Sequence, residues 1–501
     1  MTEEFKHPTI GYIRGLAKDC LLQFLGVKYA LLQDRFAEPE LLGEPSFSQS
    51  NMLNADENPS PQALSDPLAC EAEYSVFQQS LPHQTFDISD RDCLHLTITI
   101  PREAKDLPVF IFIHGGRFTI GSDAWPQYDQ TKLVRQGVEM GMPFIRVATR
   151  VGVPGFLTSA ELRTAGYKPN NGIRDQRAAL IWVQKFISGF GGDPNKVTLA
   201  GQSAGAGSCG NATLGVERIL ILSVDAHVWF LLCDTASATT SGRKFYNIAV
   251  NALGLNKLSA EVRSKAVVEG DGKPLYEKIP SGLPLLPVVD DKVVLEAPDY
   301  STFNLSGTFY PRLLIGDCRL DGHILLNKDA RERQRFRESL VKSLGPVSAR
   351  EVEETYETTP DMTFETAAKH MAEFMTDIGF YTPAVTIAKI WPVPSYLYHF
   401  NEPNTWNGPW KGEATHCLDI VYLFQNLNHE LTQEQQSLEK GWAGVVIKFI
   451  HVAEPFPSSG SESDGVAFGP VEDIPKKIHQ LNDRLGLDTL NRAMQIFMQS
   501  T

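Results

Sequence analysis

The sequence lacks a long uninterrupted apolar run, a secretory signal and any block of basic residues. A helix that crosses a bilayer needs about 20 apolar residues, and the nearest candidate, Ile219 to Cys233, is interrupted by Asp225 and His227. The N-terminus has no basic start followed by an apolar core. We therefore expect no membrane span and a cytoplasmic location for the chain as it begins here.

The charge balance argues against a second class of partner. The 46 Lys and Arg residues are outnumbered by 60 Asp and Glu residues, so the formal net charge is −14. An acidic field repels nucleic-acid phosphates. We therefore expect a small-molecule substrate rather than a nucleic-acid partner, and no pattern in the sequence indicates an oligomeric state.

Cysteines are few and scattered. No Cys-x-x-Cys pair and no cluster of His and Cys is present, so we expect no metal site. An odd, scattered set is more typical of buried free thiols than of a disulfide framework. The seven are Cys20, Cys70, Cys93, Cys209, Cys233, Cys318 and Cys417.

Apolar residues are abundant, and their arrangement indicates an α/β fold. They make up 42% of the 501 residues, enough for a large core, and no linker separates regions of different composition, so we predict one domain over residues 1–501. Short apolar runs alternate with helical periodicity, which predicts a large, mostly parallel sheet flanked by helices. The predicted strands are Val109 to Ile113, Phe144 to Ala148, Lys196 to Ala200, Arg312 to Ile315 and Tyr396 to Phe400; the predicted helical stretches are Arg174 to Phe190 and Glu351 to Ile390, the second covering the sheet or forming part of a cap.

The pentapeptide Gly201-Gln-Ser-Ala-Gly205 directly follows one of the predicted strands, and small residues follow it. A G-x-S-x-G sequence between a strand and a helix is typical of a nucleophile elbow. The glycines are needed because the turn is strained and leaves no room for side chains. We therefore predict that Ser203 is the nucleophile of a serine hydrolase.

A serine nucleophile needs a histidine base and a carboxylate that orients it. In this fold class the carboxylate and then the histidine follow the serine along the chain. Asp321 lies just past a predicted strand, and Asp317, nearer that strand, is the alternative acid. His416 ends a Gly-containing loop, whereas His399 lies within a strand pattern and is interpreted as a core residue. The predicted base is therefore His416.

Backbone N–H donors must stabilise the oxyanion that forms on the reacting carbonyl. The loop His114-Gly-Gly-Arg-Phe118 follows the strand Val109 to Ile113 and can supply them, together with the N–H group of Ala204. A plain Gly-Gly turn is the alternative interpretation of this loop.

Taken together, these stretches resemble the type-B carboxylesterase/lipase family, which includes cholinesterase-like esterases, and fungal members in particular. The similarity runs from roughly residue 9 to 450 and is weak between about 206 and 310. The segments that carry it are Phe24 to Ala30, Ser89 to Leu96, Asn170 to Arg177, Gly191 to Val197 and the elbow at Ser203.

The resemblance implies one α/β-hydrolase domain with helical cap insertions, no cofactor, and hydrolysis of small to medium carboxylic esters through an acyl-enzyme on Ser203. It implies His416 as the base and Asp321 as the orienting carboxylate. It also implies a disulfide between Cys70 and Cys93, whose oxidation state the missing secretory signal leaves open. The implied oxyanion donors are Gly116, Arg117 and Ala204.

Three positions depart from the family pattern. The family usually has Glu where this chain has Gln202 and Asp321, and a small residue where it has Arg117. The Arg117 side chain either favours acidic acyl groups or folds onto a surface carboxylate, and we expect the second. Residues 209–223 resemble an insertion, such as an unspliced intron, because Val224 to Trp229 resembles the expected continuation of Ser208.

Two other functions are compatible with the same residues. One is an esterase-like binding protein without activity, for which an insertion at 209–223 is the best support. The other is acyl transfer or lactone formation in a biosynthetic pathway, which uses the same acyl-enzyme and differs only in the acceptor.

Overall fold

A large mixed β-sheet runs through the protein, with buried side chains packed on both of its faces. The computed structural model describes residues 1–43, 53–54, 62–63, 68–83, 85–137, 142–212, 219–224, 246–251, 253–257, 259–269, 285–290, 292–294, 312–326, 331–358, 362–459, 465–470 and 477–500.

The described residues form a 12-stranded sheet. Eleven strands follow one another in the order β1-β2-β3-β4-β6-β5-β7-β8-β9-β10-β11, and the short strand Leu53–Asn54 pairs with β2. In chain order these strands are β1 (Thr2–His7), β2 (Gly11–Lys18), β3 (Leu21–Lys28), β4 (His95–Pro101), β5 (Leu107–Ile113), β6 (Phe144–Val147), β7 (Gly192–Gln202), β8 (Ile219–Val224), β9 (Leu313–Cys318), β10 (Ser395–Phe400) and β11 (Val466–Phe468).

The sheet is parallel from β6 to β11 and antiparallel from β1 to β6. The parallel part contains all five strands that the sequence predicts, which confirms them. The antiparallel edge was not predicted. It adds strands that the alternation of strand and helix along the chain does not indicate.

Successive side chains of the central strands point to opposite faces, as the two-residue period of a strand requires. In β5, Val109, Ile111 and Ile113 belong to one buried cluster, whereas Phe110 and Phe112 belong to the other. Both faces are therefore covered, which explains why β5 is a continuous apolar run rather than an alternating one.

Helices pack on the two faces of the sheet. The predicted helix over Arg174 to Phe190 is confirmed as Asn171–Phe186 followed by a 3₁₀ turn at Ile187–Phe190, and Glu351 to Ile390 is largely helical. The described helices are α1 (Ala69–Phe77), α2 (Thr131–Gln136), α3 (Gly152–Phe156), α4 (Ala160–Thr164), α5 (Asn171–Phe186), α6 (Ala204–Ala212), α7 (Ala260–Glu269), α8 (Glu332–Thr355, broken at Gly345), α9 (Phe364–Thr376), α10 (Thr382–Ile390), α11 (Leu418–Phe424), α12 (Gln433–Ile450), α13 (Lys477–Leu485) and α14 (Leu487–Ser500), with a π-helical turn at Asp377–Tyr381.

The segment 209–223, expected to be an insertion, contributes to two of these elements. Its first residues complete α6, and its last residues lie in β8, which pairs in parallel with both β7 and β9. A strand bonded on both sides is part of the sheet, so these residues contribute to regular secondary structure, and the insertion of residues 209–223 stays a prediction. Residues 213–218 and 225–229 lie outside the described part of the chain.

Candidate active site

The carboxyl ends of four parallel strands bring the predicted site residues to one edge of the sheet. Loop 114–118 follows β5, Ser203 follows β7, Asp321 follows β9, and His416 lies in the connection after β10. In parallel strands these ends face the same way, so segments far apart in the sequence become neighbours.

Ser203 lies in a sharp turn between β7 and α6. Its φ angle is 52°, in the left-handed region that side chains rarely adopt. A β-carbon on Gly201 would lie 2.3 Å from the carbonyl carbon of Gly205, and one on Gly205 would lie 2.2 Å from the carbonyl oxygen of Ile113. The turn therefore requires both glycines, and the strand–turn–helix context predicted for the elbow is confirmed.

Asp321 and His416 form a buried pair. His416 Nδ1 lies 2.7 Å from Asp321 Oδ1, and the two side chains are 4% and 0% exposed. Because a carboxylate only accepts hydrogen bonds, this contact holds the imidazole proton on Nδ1 and leaves the lone pair on Nε2. Nε2 is therefore the nitrogen that can accept a proton.

Both members of this pair are held by their surroundings. The backbone N–H of Cys318 donates to the second oxygen of Asp321 at 2.7 Å. The ring of Phe380, from the π-helical turn, packs edge-on against His416 at a centroid distance of 5.6 Å. A β-bridge between Leu320 and Thr415 joins the two loops that carry the pair.

Asp317, the alternative acid, lies beside a different histidine. Asp317 and His399 are opposite one another in β9 and β10, and His399 Nδ1 lies 2.5 Å from Asp317 Oδ1. Both side chains are buried, and the Tyr381 ring packs on His399 at 5.4 Å. The interpretation of His399 as a packed core residue is therefore confirmed, with the addition of a buried partner.

Gln202, one of the departures from the family pattern, contacts the imidazole directly. Its Nε2 lies 3.1 Å from His416 Nε2 and 2.8 Å from Cys417 Sγ. With the imidazole proton on Nδ1, the amide N–H of Gln202 donates to Nε2. This neutral contact occupies the position where the family usually has a carboxylate.

Gln202→Glu is expected to move the acidic limb of the pH profile of kcat/KM to higher pH by about one unit. A carboxylate beside an imidazole favours the imidazolium form, which cannot accept a proton. The measurement is kcat/KM for a neutral nitrophenyl ester from pH 5 to 9. Gln202→Met, which adds no charge, is the control; an equal displacement in both variants would show that the charge is not responsible.

The loop after β5 lies against Ser203. Gly116, Arg117 and Phe118 have consecutive φ angles of 100°, 55° and 62°, and the N–H groups of residues 119 and 120 both donate to Gly116 O at 3.0 Å. A β-carbon on Gly115 would lie 2.1 Å from Gln202 Oε1 and 3.0 Å from Ser203 Cβ. The loop backbone therefore approaches the serine as closely as glycine allows.

Ser203, His416, Gly116 and Arg117 line one cavity of about 570 Å³. This volume is typical of sites for small molecules. The sequence analysis did not predict three other side chains of the lining, Glu73, His323 and Trp410. His323 lies only two residues beyond Asp321, and this short distance from the predicted acid could have placed it near the site from the sequence alone.

The two titratable groups among these added residues are both buried. Desolvation lowers the pKa of His323 to about 4, and its ring nitrogens lie 2.8 Å and 3.2 Å from the carbonyl oxygens of Leu320 and Val76. Desolvation also raises the pKa of Glu73 to about 7, although hydrogen bonds from Tyr128 and Gln127 oppose the shift. At neutral pH, His323 is therefore uncharged and Glu73 is only partly ionised.

One expectation for the site region is wrong. Arg117 does not fold onto a carboxylate: within the described part of the chain, no acidic side chain lies within 4.0 Å of its guanidinium, and Arg117 is one of the residues that line the cavity. Cys70 and Cys93, whose oxidation state the sequence left open, are buried free thiols, as expected for most of the cysteines, and they belong to different buried clusters.

Comparison with known proteins decides the family. The sequence profile described as the Carboxylesterase family matches residues 4–215 and 261–495. The chain belongs to this carboxylesterase family. The carboxylesterase is 28% identical over 483 residues to the para-nitrobenzyl esterase of Bacillus subtilis (strain 168), with 91% of both chains covered. It is 26% identical over 498 residues to the cocaine esterase of Homo sapiens, with 92% of this chain and 83% of the relative covered.

Solved structures agree with this assignment at the level of the fold. A PNB esterase structure matches the carboxylesterase with a TM-score of 0.76 and 23% identity, over 97% of this chain and 99% of that one. The α/β-hydrolase fold is therefore confirmed. The family and its relatives make the protein a carboxylesterase-type hydrolase.

The described residues of this carboxylesterase lack two further features. They contain no helix that is both long and apolar enough to span a bilayer. Nor do they contain a group of three or more His, Cys, Asp or Glu side chains placed to hold a metal ion.

Proposed function

We propose that this carboxylesterase hydrolyses small to medium carboxylic esters through an acyl-enzyme on Ser203. His416 acts as the base, and Asp321 holds its tautomer. The oxyanion is stabilised by the backbone N–H groups of Gly116, Arg117 and Ala204.

The proposed reaction has two stages. Ser203 Oγ attacks the ester carbonyl while His416 Nε2 takes its proton, and the proton then passes to the leaving alkoxide as the carbon–oxygen bond breaks. Water next attacks the acyl-enzyme, again giving its proton to Nε2, which returns it to Ser203 as the acid leaves. The amide of Gln202 must give up its contact with Nε2 whenever this nitrogen is protonated.

One observation carries the proposal. The strained Ser203 lines the same cavity as His416, which is paired with a buried carboxylate. A positive φ at a serine costs on the order of 1–3 kcal/mol, and such strain is found mainly where it serves a function. The N–H group of Ala204 lies in the first turn of α6, where a helix leaves its donors without intrahelical partners. These features suit acyl transfer to a serine hydroxyl.

Labelling with a fluorophosphonate probe tests the proposed nucleophile. We expect one probe per chain, attached to Ser203, and turnover of short-chain nitrophenyl esters by the unlabelled protein. Ser203→Ala should abolish both. Ser208→Ala, in the helix α6 that follows Ser203, is the control and should still be labelled. Labelling that persists in Ser203→Ala would show that another residue is the nucleophile.

A further inference from the structure

Arg117 brings a positive charge into the proposed active site. Arg117 is exposed to solvent, and it is one of the residues that line the cavity containing Ser203 and His416. Among the residues that the structure describes, its guanidinium has neither an ion pair nor a hydrogen bond. The surrounding protein removes part of its hydration and lowers its pKa, although a guanidinium remains charged in proteins.

The backbone on both sides of Arg117 is held by hydrogen bonds and packing. On one side, the carbonyl of Gly116 accepts two N–H donors at 3.0 Å. On the other, Phe118 is buried against Phe156 at a ring distance of 4.9 Å, and its carbonyl accepts the N–H of Gly152 at 2.7 Å. Arg117 therefore leaves the backbone at a fixed point beside the nucleophile.

The acidic side chain of the cavity lining does not neutralise this cation. Glu73 accepts hydrogen bonds from the Tyr128 hydroxyl and, at 3.2 Å, from Gln127 Nε2. No ion pair joins Glu73 to Arg117, and His323, another titratable residue of the lining, is uncharged at neutral pH. A guanidinium without a protein partner at the wall of the cavity is available to pair with a ligand that carries the opposite charge.

We propose that Arg117 selects esters that carry a carboxylate a few bonds from the scissile carbonyl. The proposal rests on the function proposed above, since it places the reacting carbonyl beside Ser203. The backbone N–H of Arg117 and its guanidinium belong to one residue, so a substrate bound to the first lies within reach of the second. A planar guanidinium also matches a carboxylate with two parallel hydrogen bonds.

The test compares charged and neutral esters of the same shape. In the acyl pair, p-nitrophenyl hydrogen glutarate is compared with p-nitrophenyl 5-methylhexanoate. In the alcohol pair, 4-carboxyphenyl acetate is compared with 4-isopropylphenyl acetate. The readout is the ratio of kcat/KM for the charged ester to that for the neutral ester, so effects common to both substrates cancel.

We expect Arg117→Met to lower this ratio about 10- to 100-fold in one of the two pairs, the size of one charge-assisted hydrogen bond. The pair that responds identifies whether the acid or the alcohol carries the charge. Arg117→Lys should recover part of the ratio. Lys411→Gln is the matched control: it removes a cation from an exposed loop position next to Trp410 of the cavity lining, and the ratio should not change.

An unchanged ratio in both pairs for Arg117→Met would overturn the inference, as would an equal fall in Lys411→Gln. A protein that hydrolyses none of the four esters and resists the fluorophosphonate probe contradicts the proposed function instead.

Calorimetric titration with glutarate is independent of turnover. Binding should weaken about 10-fold or more in Arg117→Met, and equal affinity for both proteins would again overturn the inference.

Discussion

Asp321→Asn is expected to lower kcat about 10⁴-fold without disturbing the fold, as for carboxamide replacements in other serine hydrolases. The asparagine oxygen can still accept the N–H of Cys318, which now bonds to the carboxylate at 2.7 Å. The amide nitrogen then faces His416 Nδ1 and donates to it. The imidazole proton moves to Nε2, and the base can no longer accept the proton of Ser203.

Asp317→Asn is the matched control for this prediction. Asp317 lies four residues earlier and is also buried, but its partner is His399. We expect it to affect stability more than turnover. The measurement is kcat for a nitrophenyl ester in both variants, with the near-ultraviolet circular dichroism spectrum as a check of folding. A larger loss of kcat in Asp317→Asn would assign the orienting role to the other pair.

Arg150→Met is expected to lower the free energy of unfolding by about 3–5 kcal/mol. Arg150 and Asp175 are both fully buried, and the guanidinium bonds both carboxylate oxygens at 2.9 Å and 2.7 Å. It also donates to the backbone carbonyls of Arg35 and Ala37 at 3.0 Å and 2.7 Å. Removing the cation leaves a buried carboxylate with no opposite charge and only the backbone N–H of residue 150 as a donor at 3.0 Å, and it leaves the two carbonyls without the guanidinium donor.

Urea titration of the purified protein measures this loss. Arg135→Met is the control, because its pair with Asp19 is exposed and such pairs contribute about 0–1 kcal/mol. The double variant Arg150→Met/Asp175→Leu should recover much of the stability, since it leaves no unpaired charge. Equal losses in Arg150→Met and Arg135→Met would contradict the prediction.

The same ion pair explains one of the sequence segments that resemble the family. Asp175 lies in the stretch Asn170 to Arg177, which alone reads only as the start of a helix. In the structure, Asn170 has a left-handed φ of 59° and its side chain bonds both the N–H and the carbonyl of Val288. Val288 lies 118 residues from Asn170 in the chain. The family segment is therefore recognisable in the sequence, whereas the contact that explains Asn170 is visible only in the structure.

Local chemistry made the elbow and the parallel strands predictable. A strained turn needs glycine within a few residues of the serine, and buried strands need continuous apolar runs. The assignment of the acid was different. Asp317 and Asp321 flank the end of the same strand, and only the position of the neighbouring strand decides which of them meets His416 and which meets His399.

Other features depended on contacts that sequence spacing does not encode. Glu73, on α1, reaches the cavity because its helix packs beside the end of the sheet, 130 residues before Ser203 in the chain. The free thiols Cys70 and Cys93 have separate buried surroundings even though the family resemblance pairs them. The charge on Arg117 was visible in the sequence, but its position in the cavity was not.

Because the site depends on four parallel strands, enzymatic activity also measures how far folding has proceeded. Gln202 and His416, 214 residues apart, must meet for the base to be positioned, and the acid comes from a third segment. Contacts between such distant segments close large loops and form slowly. Recovery of ester turnover after dilution from denaturant should therefore lag behind recovery of helical circular dichroism, because intermediates can be rich in helix before the last strands dock.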